Sequence, residues 1–529
     1  MKKLIALITI IAMGFFGSSF YIEGLNFKAH KELEKLTSIP HTLHEFKDIY
    51  NNDFLLQEFL KRNQHFANYY DRYYYLNFED YQKGFLSSSA KFSLMTKNHT
   101  NNEEVSQEIA LLKGEITYYN LPLSKRFKAV FKKEGLEKVD KELANAIKNA
   151  NLLEIEGFKT FFDWEVRIKS AEISYQDKVN LHSINFILLS DSKNPLMVKN
   201  SKMDLPYFKL QMDTKETLTI NNFSIMQDFQ TPTHLFSSNP TNNTFRAFYK
   251  EMEFNFYDYF SHKPIKIQWH NLHSNKETLI TDNKLSIRSK DSIEYMSLQN
   301  SSKIELKNIL SNTSIKNLDI EAWRNLSNPI HLENFLPEGL EADLDMSATF
   351  NQTKINFFAN VISKDSKLSL KTNTYIEFLD LKDLLKTHLK DIHLSFGIQD
   401  VPTESLFLLA KTQNEEIFMQ MLKSNIGANL DFNAIINQKD FSLTTNLKTA
   451  EDGIKLNSKI TSEDDFSALN IPAFKNMLDN LNAMALKNNG KSEVNVDFSI
   501  KNNGSTFLEP TITINGKNLK EIGGINGRY

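Results

Sequence analysis

From residue 342 to residue 350 the chain reads Ala-Asp-Leu-Asp-Met-Ser-Ala-Thr-Phe, apolar at every even position and polar at every odd one. Side chains alternate sides only in a strand, so this pattern specifies a strand with one apolar and one polar face. After a short Asn-Gln-Thr-Lys turn the period resumes at Ile355, Phe357, Ala359 and Val361, which predicts a hairpin. The same alternation occurs at Trp164, Val166 and Ile168, at Ile184, Phe186 and Leu188, at Leu218 and Ile220, at Met252, Phe254 and Phe256, and at Ile265, Ile267 and Trp269. It returns over residues 392–398, 430–436, 441–447, 454–460, 494–500 and 512–514. Such a chain is expected to be α+β and mainly β: long antiparallel meanders of amphipathic strands with a few interspersed helices, at 123–152, 375–390, 404–423 and 465–487. Each apolar face must be covered by a second sheet, by helices, or by a ligand or lipid, and the predicted helices are too few to cover all of it. A second sheet is the usual solution, and an open groove holding lipid is the other.

Ahead of this body, Met1-Lys2-Lys3 is followed by an uncharged apolar run, residues 4–22, opened by Leu4 and closed by Ile22. Roughly 19 helical residues at ~1.5 Å rise reach close to the ~30 Å of a bilayer's hydrocarbon core. A cleavable signal peptide would place its apolar core in residues 4–13 and its exit at Gly17-Ser18-Ser19. An uncleaved anchor would use the whole run, which Phe15, Phe16, Phe20 and Tyr21 keep apolar past that exit, and this is the expectation adopted. Lys2 and Lys3 then stay in the cytoplasm, giving a single N-terminal span in the inner membrane with the bulk of the chain periplasmic. The chain contains no cysteine, which excludes a lipidated-cysteine anchor, a disulfide framework and a thiolate metal site.

The expected organisation is a signal anchor at 1–22, a helical stalk at 23–80, an N-terminal β-rich domain with inserted helices at 81–230 and a C-terminal one at 245–529. In the stalk, residues 28–48 and 53–70 carry helical spacing, the second with Phe54, Leu55, Phe59, Leu60 and Phe66 on one side. The polar stretch 228–244, with Pro232 and Pro240, is the expected linker between the domains, and 327–338 is a second.

Chemistry is harder to find. With 41% hydrophobic and 24% charged residues in 529, and only 17 Gly and 12 Pro, the chain is a folded protein. Its net charge of −3 argues against a nucleic-acid binder, which needs a basic surplus to neutralise phosphates. His41, His44 and Glu45, and separately His270 and His273, have spacings that could begin a metal site, but neither set indicates a third ligand. Asp343 and Asp345 could mimic paired glycosidase carboxylates, yet the strand's alternation already explains them as its solvent side. Glu463-Asp464-Asp465 precedes a predicted helix, where negative charge suits the dipole. The cluster Tyr69, Tyr70, Tyr73, Tyr74 and Tyr75 fits packing between the stalk and the first strand. No GxSxG elbow, P-loop, GxGxxG or cysteine nucleophile occurs, so the reading nominates no catalytic residue, cofactor or metal ligand and expects a protein that is not an enzyme. Interrupting helices and the Gly523-Gly-Ile-Asn-Gly527 segment argue against an outer-membrane barrel.

One short motif is specific: Tyr81, Gly84, Phe85, Ser87 and Ser88, in the order Tyr-x-x-Gly-Phe-x-Ser-Ser. With the Lys-bearing start, the apolar run, the helical stretch and the long β body, it resembles the YdgA-like family of Gram-negative inner-membrane-anchored periplasmic proteins, which have no established activity. Where the family carries a His-Gly-Pro step, this chain has Tyr118-Tyr119-Asn120-Leu121-Pro122. The layout is also similar, more loosely, to AsmA-like proteins implicated in lipid movement between membranes. The expected function is a non-enzymatic envelope protein whose amphipathic β body binds or guides lipid or another hydrophobic ligand. The alternatives are a structural or partner-binding module with a closed two-sheet core, engaging another envelope protein, and an envelope hydrolase without a recognisable motif.

Overall fold

The structure, a computed structural model, describes residues 2–42, 73–79, 81–97, 108–121, 125–136, 141–160, 162–175, 178–194, 196–213, 216–234, 241–258, 263–300, 303–320, 339–350, 352–380, 387–412, 415–502 and 509–518. Of these, 70% lie in strands and 15% in helices. The chain divides into two compact units, residues 1–278 with 297–303, and residues 279–296 with 304–529.

The first unit opens with helix α1 (Lys2–Thr37) and continues with β1 (His41–Thr42), β2 (Tyr73–Phe78), β3 (Ser87–Lys97), β4 (Glu108–Tyr119), β5 (Lys125–Lys132), helix α2 (Lys141–Ala146), β6 (Asn151–Lys159), β7 (Asp163–Ser170), β8 (Ile173–Tyr175), β9 (Val179–Leu181), β10 (Asn185–Asp191), β11 (Met197–Asp213), β12 (Glu216–His234), β13 (Asn243–Asp258) and β14 (Lys263–Thr281). Strands β2 to β7 pair antiparallel in chain order, β7 pairs with β10, and β10 to β14 again pair in chain order. The β8–β9 hairpin adds to the end of β11.

The second unit holds most of β15 (Lys284–Gln299) and β16 (Lys303–Asp319), then β17 (Glu341–Phe350), β18 (Thr353–Lys364), β19 (Lys367–Asp380), β20 (His388–Pro402), helices α3 (Thr403–Thr412) and α4 (Glu415–Leu422), β21 (Gly427–Ile436), β22 (Lys439–Ala450) and β23 (Gly453–Ser462). Two 3-10 turns (Phe466–Leu469 and Pro472–Phe474) and α5 (Lys475–Met484) follow, then β24 (Leu486–Asn488), β25 (Lys491–Lys501), β26 (Thr511–Ile514) and β27 (Lys517–Asn518). Strands β16 to β23 pair in chain order, β25 pairs with β23, and β26 with β25.

Within each unit the outcome is an open antiparallel sheet, and the second sheet that would close a sandwich is not among the described pairings. The mainly β expectation and most strand positions hold; several helix expectations do not. Residues 125–132 are strand β5, because Phe127, Ala129 and Phe131 alternate and pair on both sides, and α2 lies within the expected helical segment, of which residues 123–124 and 137–140 lie outside the described residues. Of 375–390, residues 375–380 lie in β19 and 388–390 in β20, where cross-strand pairing overrides local helical spacing, and residues 381–386 lie outside the described residues. The helices expected at 404–423 and 465–487 are present, the first split into α3 and α4.

Of the stretch expected as a linker, residues 228–234 and 243–244 are strand, with Asp228 pairing with Thr244 and Val198 with Thr233, and residues 235–240 lie outside the described residues. The expected boundary at 22/23 falls inside α1, and the expected stalk ends in strand β2. Residues 43–72, with His44, Glu45, Tyr69 and Tyr70, lie outside the described residues, as do 321–338 and 519–529. Among the described residues no helix is long and apolar enough to cross a membrane. The side chains of residues 1–17, which hold most of the apolar run, are outside that description, so the expected membrane helix has no support from the structure.

Candidate functional site

The register of the first unit aligns the apolar positions of successive strands into rows. One row runs Ala90, Ile116, Ala129, Ile155, Ile168, Phe186, Met203, Ile225 and Ala247, each directly opposite the next. Directly paired residues of an antiparallel sheet share a face, so the row is one unbroken apolar band. The neighbouring row includes Phe92 and Gly114, where the Phe92 ring lies over the glycine and leaves no space for a Cβ. The opposite side is mainly polar, with Val130, Phe158, Ile187, Leu189 and Met226 interspersed, and is laced with ion pairs such as Lys128–Glu154 at 3.0 Å and Lys202–Asp204 at 2.8 Å. Hydrogen bonds from Asn151 and Lys128 hold the Glu154 carboxyl below the usual range.

Across β11 to β14 the ladder breaks at Pro206, Asn222, Lys250 and Asn271, with left-handed backbone at Asn222 and Asn271. Beyond this line the apolar positions change phase, from Leu205, Phe223, Tyr249 and Leu272 to Phe208, Ile220, Met252 and Trp269. An irregular residue in the pleat resets its alternation, which keeps a sequence with shifted phase apolar on one side.

The band is covered unevenly. Over β2 to β5, Leu33 of α1 packs with Ala90, Phe92, Ile116, Tyr118 and Ala129. Farther along, Phe186, Leu188, Met203, Ile225, Phe229 and Phe245 line a groove of about 520 Å³, with Gln227, Thr233 and His234 among its polar groups. Most of these side chains are only half-buried. The groove falls within the size range of small-molecule sites, with an apolar wall on the row and a polar rim of Ser201, Gln227, Thr233, His234, Thr241 and Asn243.

The second unit repeats the arrangement in the row Ile315, Ala342, Val361, Leu370, Ile398, Ala428, Leu447, Leu456, Phe498 and Ile512. One end is capped by Phe466, Leu469 and Leu478, which bury Ile392, Ala434, Ile436 and Val494. Elsewhere Leu344, Phe357, Leu430 and Leu443 are half-buried, and Met346 and Leu394 are exposed.

The motif residues form a clamp that holds α1 on the sheet. At its centre is Asn120, fully buried, whose side-chain amide donates to the Gly84 carbonyl at 2.6 Å and to Ser88 Oγ at 2.9 Å. Asn26 of α1 donates to Asn120 Oδ1 at 2.9 Å and to the Tyr119 carbonyl at 3.3 Å. A Cβ at Gly84 would collide with the Ser87 carbonyl, so the turn needs glycine there. Tyr81 packs on Phe27 and His30 of α1, Phe85 lies 5.7 Å from Phe20 between ring centres, and Ser87 is exposed at the start of β3.

His30 is buried, with Nδ1 3.1 Å from the Tyr118 hydroxyl. Burial pushes the His30 imidazole below its ordinary value and the Tyr118 hydroxyl well above its own. Asn26, His30, Tyr118 and Asn120 were not nominated from sequence. The available signal was the 26, 30, 33 spacing on one helical stripe and the departure at Tyr118-Tyr119-Asn120-Leu121-Pro122.

The other nominated residues do not converge. Asp343 accepts from Asn360 at 2.7 Å, and Asp345 shares its side of β17, away from the apolar row. His273 packs against Phe248 in a tilted ring contact, while His270 lies opposite Glu251 across the break at Asn271. His41 sits in β1 opposite Tyr74. Among the described residues no three His, Asp or Glu side chains gather to hold a metal. No family model, curated protein or solved structure matches this chain.

Proposed function

We propose that this chain is an inner-membrane-tethered periplasmic protein whose one-sided sheets hold the hydrocarbon part of a lipid or a comparable hydrophobic ligand. The supporting observation is the unbroken apolar row from Ala90 to Ala247, shielded by helix at one end and opening into the half-buried groove around Met203 and Ile225. Half-buried aromatic and aliphatic side chains in contiguous array are costly in water and favour an apolar occupant. The tether is argued from the apolar run between Leu4 and Ile22, and the family resemblance is consistent with the same layout.

The test is photocrosslinking in cells. Benzoylphenylalanine in place of Phe186, inside the groove, should form phospholipid adducts detectable by mass spectrometry. The same residue in place of Lys202, on the opposite side of β11, should not. Absence of lipid at position 186, or equal labelling at both, overturns the reading. A reproducible protein adduct at 186 in place of lipid would favour the partner-binding module.

A further inference from the structure

We infer that one edge of the first unit's sheet is a membrane-contacting rim, an inference that rests on the tether proposed above and adds where the body meets the lipid surface. The pairings place the start of β3, the end of β4, the start of β5, the end of β6, the start of β7, the end of β10 and the start of β11 along one edge: Ser87 is opposite Tyr119, Tyr119 opposite Arg126, Lys125 opposite Lys159, Lys159 opposite Trp164, Asp163 opposite Asp191, and Ser190 opposite Val198. The loops at this edge carry Leu86, Leu121, Phe162 and Leu196. Each is exposed, from 37% at Leu121 to 72% at Phe162.

Helix α1 leaves the sheet at the same edge. Its contacts step outward toward its N-terminus: His30 with Tyr118, Asn26 with Asn120, Glu23 with Lys83, and Phe20 with Phe85. There Phe20 and Tyr21, both about two-thirds exposed, join the row of loop side chains. Of the other exposed large hydrophobic residues among the described residues of this unit, Leu25 lies one turn along α1 and Ile39 lies past its far end. The opposite edge presents Lys178, Asp213, Glu216, Asp258 and Lys263 at its strand ends.

Apolar side chains concentrated at successive loop tips, rather than scattered, mark an interaction surface. Aromatic and aliphatic tips flanked by the exposed Lys83, Lys125 and Lys193 suit the interface of an anionic bilayer, where rings and hydrocarbon enter the headgroup layer and ammonium groups remain at the phosphates. Continuity with the Leu4 to Ile22 run of the same helix selects a bilayer over a protein partner. In this orientation the apolar row runs alongside the rim, crossing the same strands a few residues farther from the lipid surface.

Because the chain has no cysteine, single labels can be placed at will. Full-length Leu86→Cys, Leu121→Cys, Phe162→Cys and Leu196→Cys, with Lys178→Cys and Lys263→Cys as controls, are each labelled with an environment-sensitive fluorophore. They are reconstituted with phosphatidylethanolamine–phosphatidylglycerol vesicles carrying brominated acyl chains. All sites are exposed, and circular dichroism verifies the strand content of each variant.

The expected result is flotation with the vesicles, a blue shift and several-fold quenching at the four rim positions, and neither shift nor quenching at Lys178 and Lys263. Flotation with rim labels as accessible to aqueous iodide as the controls overturns the rim and leaves the tether standing. Failure to float overturns both. Quenching at all six positions also overturns the rim, since it indicates adsorption without orientation.

Discussion

Asn120 shows how one side chain can fix a docking geometry. Its amide satisfies the Gly84 carbonyl and Ser88 Oγ, and its carbonyl takes the Asn26 donor, all at a fully buried position. Asn120→Ala would leave these groups unpaired at a cost of ~2–4 kcal/mol. The expected outcome is a lower denaturation midpoint, with faster amide exchange over residues 22–37 of α1. His30 supplies a pH dependence on the same contact. Burial lowers its pKa below the ordinary 6.5, with Glu34 opposing and Lys31 reinforcing the shift, and it faces Tyr118 and Tyr81 from the sheet side. For a group with a lowered folded pKa, the unfolded chain takes up the proton first. The stability contribution is therefore complete above about 6.5 and is lost as pH falls from there toward the folded value. Thermal melts of the full chain should show this loss below pH 6.5, and His30→Phe should remove that part of the slope.

Among the elements, the short helical insert between β23 and β25 does the most to close the second unit's face. Phe466 and Leu469 are fully buried and, with Leu478, cover Ile392, Ala434, Ile436 and Val494. Phe466→Ala is expected to cost about 3–5 kcal/mol, read as a shift in the chemical-denaturation midpoint, because the rigid strands beneath cannot collapse into the space. This insert and the α3–α4 pair were legible from helical spacing, as were the strands at 342–350 and 430–460 from alternation. β5 and β19 were not. Residues 123–152 and 375–390 contain leucines and lysines that suit a helix locally, and only pairing with neighbours decides for strand. The phase change at Asn222 and Asn271 was hidden for a related reason: a left-handed residue inside a strand looks in sequence like a turn or a fault in the pattern.

At the scale of the whole molecule, alternation predicted the one-sided strands but not what meets their apolar side, since a sandwich and an open sheet have the same pattern. The motif Tyr81, Gly84, Phe85, Ser87 and Ser88 was legible as specific, while its partners on α1 depend on contacts spanning some ninety positions of the chain, as in Asn26 to Asn120. The proposed ligand groove and rim were equally out of reach, because both are built from register, which brings Leu86, Leu121, Phe162 and Leu196 to one edge only when the strands are paired.

Pairing in chain order has a further consequence, for how such a sheet forms and changes. Each strand in these runs finds its partner in the segment just before it, so contacts are local and the loop-closure cost of each addition is small. A chain delivered N-terminus first can build hairpin upon hairpin without waiting for its end. Over evolutionary time the smallest segment that can be gained or lost is also a hairpin: two strands restore both direction and sidedness, whereas one strand would reverse the polarity of everything after it. The apolar surface of this protein can thus lengthen or shorten in hairpin steps without redesign of what remains.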